Sequence, residues 1–212
     1  LDMGLEPLGI HGSFLYPYDS EPASDSFMLD ENGTVVPQAL SQGVNLVGVV
    51  PGSDPELADE YILVIAHYDH LGVTEDGEIY NGAFDDASGV AMGLELARLF
   101  AEGNASCRRS LIFLFADEEE YGLDGSEAWL HEPTVPITDV VAGVSVDPVG
   151  RGLLPDFWPV VLMGTERSPQ FREVWIEAEK WADPELPIVF IHRDVIPVFS
   201  SDQDNLFELE DP

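Results

Sequence analysis

Apolar positions along the chain follow two patterns, short continuous runs and longer runs with helical spacing. The continuous runs are rich in β-branched residues and are bounded by turn residues, which is typical of buried strands. They predict six strands, at Asn45–Val50, Tyr61–Ala66, Arg109–Phe115, Val140–Val146, Val160–Met163 and Ile188–Ile191.

The helical pattern begins just after Asp85, where apolar residues recur at intervals of three and four until Gly103, which is placed to end the helix. A short helix is predicted over 123–130 and another over 168–181. Strands that alternate with helices predict an α/β fold with a central mixed, mostly parallel β-sheet flanked by helices on both faces.

The length of 212 residues favours a single domain over 1–212, with an irregular or edge-strand entry segment over 1–43. No apolar run approaches the ~20 residues that a membrane-spanning helix needs, so we expect no membrane partner. The first residues lack the basic and apolar regions of a signal peptide, so we expect that a targeting segment was removed or never existed.

The charge balance excludes one class of partner. Acidic residues number 41 and basic residues 8, which gives a net charge of −33. Nucleic acid would be repelled, because phosphate binding needs clustered Lys and Arg. The acids are spread over the whole chain, which indicates a carboxylate-covered folded surface. Self-repulsion that salt would screen favours a halophilic protein, and the alternative is an acidic exported protein with no salt requirement.

Polar residues that bear chemistry follow three of the predicted strands directly. His67 and Asp69 follow the second strand, Glu119 and Glu120 the third, and Asp147 the fourth. In a sheet of this kind the ligand crevice lies at the carboxyl ends of the strands, so we expect these side chains to converge.

Crowded carboxylates repel one another unless a cation neutralises them, and the chain has few basic residues to offer. An imidazole with several carboxylates suits Zn²⁺ or a similar first-row ion. The spacing of His67 and Asp69 is typical of a metal-bound imidazole oriented by a carboxylate. Taken singly, however, such a histidine is more often structural and an acidic run is usually a solvated loop. We interpret His70 as a structural or surface residue near the site.

Three segments together resemble the successive motifs of the M28 family of zinc-dependent aminopeptidases. They are AHYDHLG at 66–72, YNGAFDDASGVA at 80–91 and EEYGLDGS at 119–126. The similarity extends from Val44 to Arg151 and more weakly to the ends. Family members usually have further terminal elements, so the resemblance identifies the chain as a core fragment.

The resemblance implies two zinc ions. It assigns His67 and Asp147 to one ion, Asp85 to the bridge between the ions, and Glu120 to the second ion. Family members typically complete the second site with a histidine in a Ser-Asp-His loop, but Gln203 stands at that position here. The amide oxygen of Gln203 is a weaker donor to zinc than an imidazole, so occupancy of the second site is an open question.

The resemblance also implies a reaction. It assigns Glu119 as the general base that takes a proton from the metal-bound water, and Asp69 as the residue that orients His67. The expected activity is that of a zinc aminopeptidase acting on peptides. The alternatives are a hydrolase or cyclase that acts on another small amide, and a binding module that keeps the fold without its metals. We expect a secreted or periplasmic location rather than a cytoplasmic one.

Overall fold

A mixed β-sheet carries most of the strands of this protein. The computed structural model describes residues 4–20, 28–29, 35–36, 41–74, 76–150, 159–166, 168–181, 188–191 and 201–202. The strands are β1 (Glu6–Pro7), β2 (Leu15–Ser20), β3 (Met28–Leu29), β4 (Val35–Val36), β5 (Ser41–Val50), β6 (Tyr61–His67), β7 (Ser110–Ala116), β8 (Val140–Ser145), β9 (Val160–Met163) and β10 (Ile188–Ile191). The helices are α1 (Ala87–Ala101), α2 (Asp124–His131) and α3 (Pro169–Glu179), with single 3-10 turns at Ile10–Gly12 and Ile137–Asp139.

All six predicted strands and all three predicted helices are present. Their bounds shift by one or two residues, except that β5 begins four residues before the predicted strand. The extra residues have no apolar pattern, and they pair antiparallel with β2, up to Ser20 opposite Ser41. Gly43 in this stretch lies against Tyr18, and a Cβ at that position would be 2.1 Å from the Cζ atom of the ring. The strand is therefore extended by an edge pairing that the hydrophobic pattern does not encode.

The sheet order is β1-β5-β7-β6-β8, with β2 also paired to β5. The pairings of β5 with β1, β2 and β7 are antiparallel. The pairings of β6 with β7 and with β8 are parallel. The predicted α/β fold with a mixed central sheet is confirmed, and the parallel part of the sheet is the part that carries the candidate site.

The side chains of β7 alternate between two apolar clusters, so both faces of the sheet are covered at this strand. Ile112 and Leu114 pack in one apolar cluster, which also contains Trp129 from α2. Phe113 packs in the other cluster, which also contains Ala97 from α1. Because successive side chains of a strand point to opposite faces, the two clusters lie on opposite sides of the sheet. A strand with no exposed face reads as a continuous apolar run, as β7 does.

The described residues separate into two compact units, Leu1–Pro148 with Ser201–Pro212, and Val149–Ser200. The second unit contains a parallel pair of strands, β9 and β10, and helix α3. Ser168 caps α3 by accepting a hydrogen bond from the backbone N–H of Phe171. The single domain over 1–212 stays a prediction. Among the described residues, no helix has the length and apolar character needed to cross a membrane.

Candidate metal centre

Three parallel strands bring the candidate residues to one edge of the sheet. The pairing register places His67, the last residue of β6, beside Ala116, the last residue of β7. The acidic segment 117–120 therefore begins next to His67. The neighbouring strand β8 ends at Ser145, which pairs with Ile65 of β6, and Asp147 follows it by two residues. The carboxyl ends of adjacent parallel strands meet, and the side chains that follow them meet as well.

His67 is almost completely buried at this edge, with 1% of its side chain exposed. Its Nε2 atom is 3.0 Å from Asp85 Oδ1 and 3.5 Å from Asp147 Oδ1. The same atom is 4.0 Å from Glu119 Oε2. On the other side of the ring, Nδ1 is 3.4 Å from Asp69 Oδ1. The imidazole is therefore surrounded by carboxylates on both sides.

The charge around His67 is reflected in its pKa. Burial by itself lowers the pKa of the imidazole, because it disfavours the charged form. Contacts with Asp147 and Asp69, together with the negative charges of Asp147 and Glu119, outweigh burial and raise the pKa to about 12. The pocket therefore favours a cation at the position of Nε2.

Glu119 is the most perturbed carboxylate among these neighbours. Its side chain is 10% exposed. Burial raises its pKa to about 8, and the charges of Asp147, Asp202 and Glu120 act in the same direction against the opposing effect of His67. A carboxyl group with a pKa near neutrality can both accept and donate a proton.

Asp69 links the histidine segment to the acidic segment. Its two carboxylate oxygens accept hydrogen bonds from the backbone N–H groups of Glu119, at 3.1 Å, and Glu120, at 3.3 Å. Burial acts to raise its pKa, but contact with His67 and these two hydrogen bonds hold the pKa below the ordinary value. Asp69 is therefore ionised and fixed between the two segments.

Asp85 and Asp86 are adjacent in sequence but have different environments. The Asp85 side chain is 47% exposed and faces His67. Asp86 is 1% exposed and caps α1, where its Oδ1 atom accepts the backbone N–H of Gly89 at 2.9 Å. Burial raises the pKa of Asp86 to about 7, although the Gly89 hydrogen bond opposes the shift. A Cβ at Gly89 would lie 2.0 Å from the Val146 carbonyl oxygen, so the start of α1 packs directly against the chain that leads to Asp147.

A second group of possible ligands lies beside the first. His70 Nδ1 is 2.7 Å from Glu120 Oε1, and both side chains are about one fifth exposed. These two residues and Asp85 each offer one ligand atom, and the three atoms lie within 4.8 Å of one another. His67, Glu119 and Asp147 form a separate group by the same criterion. Asp85 lies 3.0 Å from His67 while belonging to the second group, so it connects the two.

Only the last two acids of the segment 117–120 face these groups. Asp117 turns toward β5, where its Oδ2 atom accepts the backbone N–H of Val44 at 3.0 Å. Glu118 has a positive φ of 57°, and its carboxylate accepts the hydroxyl of Tyr18 at 3.2 Å. The turn therefore divides four chemically similar residues into two that hold the loop and two that line the site.

The arginine and lysine residues of this unit do not neutralise the cluster. Residues 1–148 contain three arginines and no lysine, and residues 201–212 contain neither. Arg98 pairs with Glu95 and Glu102 on α1. Arg108 and Arg109 pair with Asp54 and Glu60, respectively. The carboxylates of the site consequently have no arginine or lysine partner from their own unit, and a bound divalent cation would balance them.

The donor set fits zinc. One set of one imidazole and two carboxylates consists of His67, Asp147 and Asp85, and the other consists of His70, Glu120 and the same Asp85. Three protein ligands with an open fourth position are typical of catalytic zinc. Ligand atoms about 2.0–2.2 Å from a tetrahedral ion lie about 3.3–3.6 Å apart. The 3.5 Å between His67 Nε2 and Asp147 Oδ1 already matches this spacing.

The structure brings together His67, Asp69, Asp85, Glu119, Glu120 and Asp147. Gln203 lies outside the described residues. Two further residues belong to the site. His70 lies on the loop after β6, three residues beyond His67, and this spacing of two imidazoles was the available signal. Asp202 is completely buried, which raises its pKa to about 6, and the signal for it was its position directly before Gln203 in the loop that the resemblance assigned to the second site.

A protein-family model matches most of the chain. The model described as Peptidase family M28 matches residues 45–205. A vacuolar membrane protease of Candida dubliniensis is 38% identical over 93 residues, which cover 42% of this chain and 9% of that protein. The chain thus spans about a tenth of the length of this relative.

Solved structures with a similar fold include two bacterial enzymes. The zinc aminopeptidase BSAP from Bacillus subtilis superposes with a TM-score of 0.59 at 20% identity, covering 82% of this chain and 39% of that one. The glutaminyl cyclase of Bacteroides thetaiotaomicron, bound to N-acetylhistamine, superposes with a TM-score of 0.59 at 21% identity, covering 92% and 66%. At this level of identity the likeness supports the fold alone.

Proposed function

The chain belongs to peptidase family M28, and from this premise we propose that it is a zinc-dependent aminopeptidase that hydrolyses the N-terminal peptide bond of its substrates. The observation that carries the proposal is the position of Glu119. Its carboxylate, on a side chain that is 10% exposed, lies 4.0 Å from His67 Nε2 and belongs to the same group of possible ligands as Asp147. A proton-accepting group is therefore held beside the position that a metal would take.

Two zinc ions are proposed for this centre. His67 and Asp147 would hold the first ion, and Asp85 would be shared between the two. Glu120 would bind the second ion, which Gln203 was predicted to complete. Zinc bound there would supply an activated water and polarise the carbonyl of the substrate.

Glu119 is proposed as the general base and acid. Its carboxylate takes a proton from the attacking water and then delivers that proton to the leaving amine. The pKa of about 8 without metal shows how strongly burial and the neighbouring negative charges act on this group. Cations bound nearby favour its ionised form, which is the form that a base needs.

Asp69 is proposed as the positioning residue of the centre. Its carboxylate lies beside His67 Nδ1 and holds the backbone of Glu119 and Glu120 through two hydrogen bonds. A fixed Nδ1 proton leaves Nε2 free to bind metal. The same side chain thus orients a ligand and the general base.

Two other functions remain open within the fold. A cyclase or another small-amide hydrolase is the second candidate, because a glutaminyl cyclase has a similar fold. A metal-free binding module is less favoured, because a scaffold has no use for so many buried carboxylates without a balancing cation. The proposed location is outside the cytoplasm, as the sequence predicts.

The test combines metal analysis with turnover. We expect the purified protein to contain zinc and to hydrolyse an aminoacyl p-nitroanilide. Activity should be lower on the N-acetylated analogue, which lacks a free N-terminal amine. It should also be lower on peptides with an N-terminal glutamine, which are the substrates of a cyclase. Glu119→Gln should keep its zinc and lose about 10²–10⁴-fold in kcat. Glu127→Gln, an exposed change on α2, is the matched control. Wild-type activity in Glu119→Gln, or a zinc-free protein, would refute the mechanism.

A further inference from the structure

The sequence placed His70 near the site but did not assign it as a ligand. Its Nδ1 atom is 2.7 Å from Glu120 Oε1. The ligand atoms of His70, Glu120 and Asp85 lie within 4.8 Å of one another. We propose that His70 is the imidazole ligand of the second metal ion and binds it together with Glu120 and Asp85. This assignment rests on the two-ion centre of the proposed function and gives the second site a ligand other than Gln203.

The surroundings of His70 hold its side chain toward the site. Gly82 has a φ of +61°, and a Cβ at that position would be 3.0 Å from His70 Cβ and 3.1 Å from the Asp85 carbonyl oxygen. The loop that carries Asp85 can approach His70 this closely because Gly82 has no side chain. The ring of Tyr80 packs edge-on against the imidazole, with 6.2 Å between ring centroids.

The neighbouring residue fixes the backbone of His70. Asp69 is bonded through its carboxylate to the N–H groups of Glu119 and Glu120. These contacts connect the loop after β6 to the loop after β7 at the point where His70 and Glu120 face each other. The geometry of the pair is therefore set by the same contacts that organise the first group.

The chemistry favours an imidazole over an amide for this role. Histidine nitrogen is a preferred zinc donor, whereas a neutral amide oxygen is a weak one. One imidazole and two carboxylates give the second ion three protein ligands and leave a position open for water or substrate. The second site is then complete within residues 70–120, so the replacement of a histidine by Gln203 does not leave the ion without an imidazole.

A simpler role for His70 is to donate a hydrogen bond to Glu120, as it does at 2.7 Å in the structure. The two roles differ in what a substitution preserves. His70→Asn keeps a side-chain N–H that can bond to Glu120 but removes the imidazole. His70→Ala removes both. If the role of His70 is purely structural, His70→Asn should bind the second ion as wild type does. If His70 is a metal ligand, His70→Asn should lose that ion as His70→Ala does.

The experiment measures bound zinc directly. Five metal-free proteins are titrated with Zn²⁺ by calorimetry, and their final zinc content is measured by atomic emission. They are wild type, His70→Ala, His70→Asn, Gln203→Ala and the exposed control His131→Ala. We expect two ions in wild type and His131→Ala. In both His70 variants the second ion should bind at least about 100-fold more weakly while the first is retained. Melting curves of the metal-free proteins should show that His70→Asn is folded.

The inference is overturned if the His70 variants bind two ions with wild-type affinity, if Gln203→Ala alone removes the second ion, or if wild type binds fewer than two. One further outcome would refute the proposed function but not the assignment of His70. A wild-type protein that binds two ions through His70 but hydrolyses no amide would leave the metal assignment intact and remove the peptidase activity.

Discussion

The Oδ1 atom of Asp69 accepts a hydrogen bond from the backbone N–H of Glu119 at 3.1 Å. The two residues are 50 positions apart in sequence. Asp69 also lies beside His67 Nδ1. One carboxylate therefore sets the position of a metal ligand and of the residue proposed to move the proton.

Asp69→Asn tests this double role. The amide keeps the size of the side chain but loses the negative charge. Its NH₂ group faces one of the two backbone N–H groups, of Glu119 and Glu120, and cannot accept that hydrogen bond. We expect zinc affinity and kcat/KM each to fall about 10–100-fold. Metal titration and steady-state kinetics measure the two effects. The exposed substitution Asp76→Asn serves as the control, and equal affinities in the two variants would contradict the role of Asp69.

Asn45→Ala tests the support of the acidic segment from β5. The Asn45 side chain is completely buried, accepts the Asp117 backbone N–H at 3.0 Å and donates to the Gly125 carbonyl at 2.7 Å. Truncation removes these hydrogen bonds from the Asp117 N–H and the Gly125 carbonyl, next to a side chain that is fully buried. We expect the free energy of unfolding to fall by about 2–4 kcal/mol.

Urea denaturation of metal-free protein measures this loss. Gln42→Ala, an exposed change in the same strand, is the control and should stay within about 0.5 kcal/mol of wild type. A similarly small change in Asn45→Ala would show that the segment does not depend on this side chain.

The pKa of Glu119 predicts how the stability of the metal-free protein depends on pH. Folding raises this pKa from 4.5 to about 8, so the native state holds a proton that the unfolded state has lost. The destabilisation is absent below pH 4.5, grows as the pH rises and is complete above pH 8. Glu119→Gln should therefore be close to wild type at pH 4.5 and more stable than wild type at pH 8.

The measurement is chemical denaturation in the presence of a chelator at both pH values. Glu127→Gln, whose side chain is exposed on α2, should show no such difference. A stability gain in Glu119→Gln that is the same at both pH values would exclude titration of Glu119 as its cause.

The net charge of −33 predicts a dependence on salt. The Debye length falls from about 10 Å at 0.1 M to about 3 Å at 1 M, so repulsion among surface carboxylates weakens over this range. We expect the melting temperature of the metal-free protein to rise steadily with KCl. Thermal scans between 0.1 and 3 M KCl measure the effect, and a flat curve would favour an acidic protein without a salt requirement.

The amino-acid sequence by itself determined where the strands and helices lie and which strands end in reactive residues. The apolar run of β7 is continuous because both faces of this strand are buried, and the helical spacing after Asp85 marks the start of α1. The positions of His67, Glu119 and Asp147 after these strands predicted a shared crevice, and the resemblance to the M28 motifs added Asp85. Local pattern suffices here because strand ends converge whenever parallel strands are neighbours.

The tertiary structure decided which of several similar residues lie in the site. Asp117 and Glu120 belong to one acidic run, but the turn directs Asp117 to the backbone of β5 and Glu120 to His70. His70 lies close to the loop that carries Asp85 because Gly82 has no side chain at the point of contact. Periodicity describes one element at a time, whereas these contacts depend on the relative positions of three loops and on backbone angles that the hydrophobic pattern does not encode.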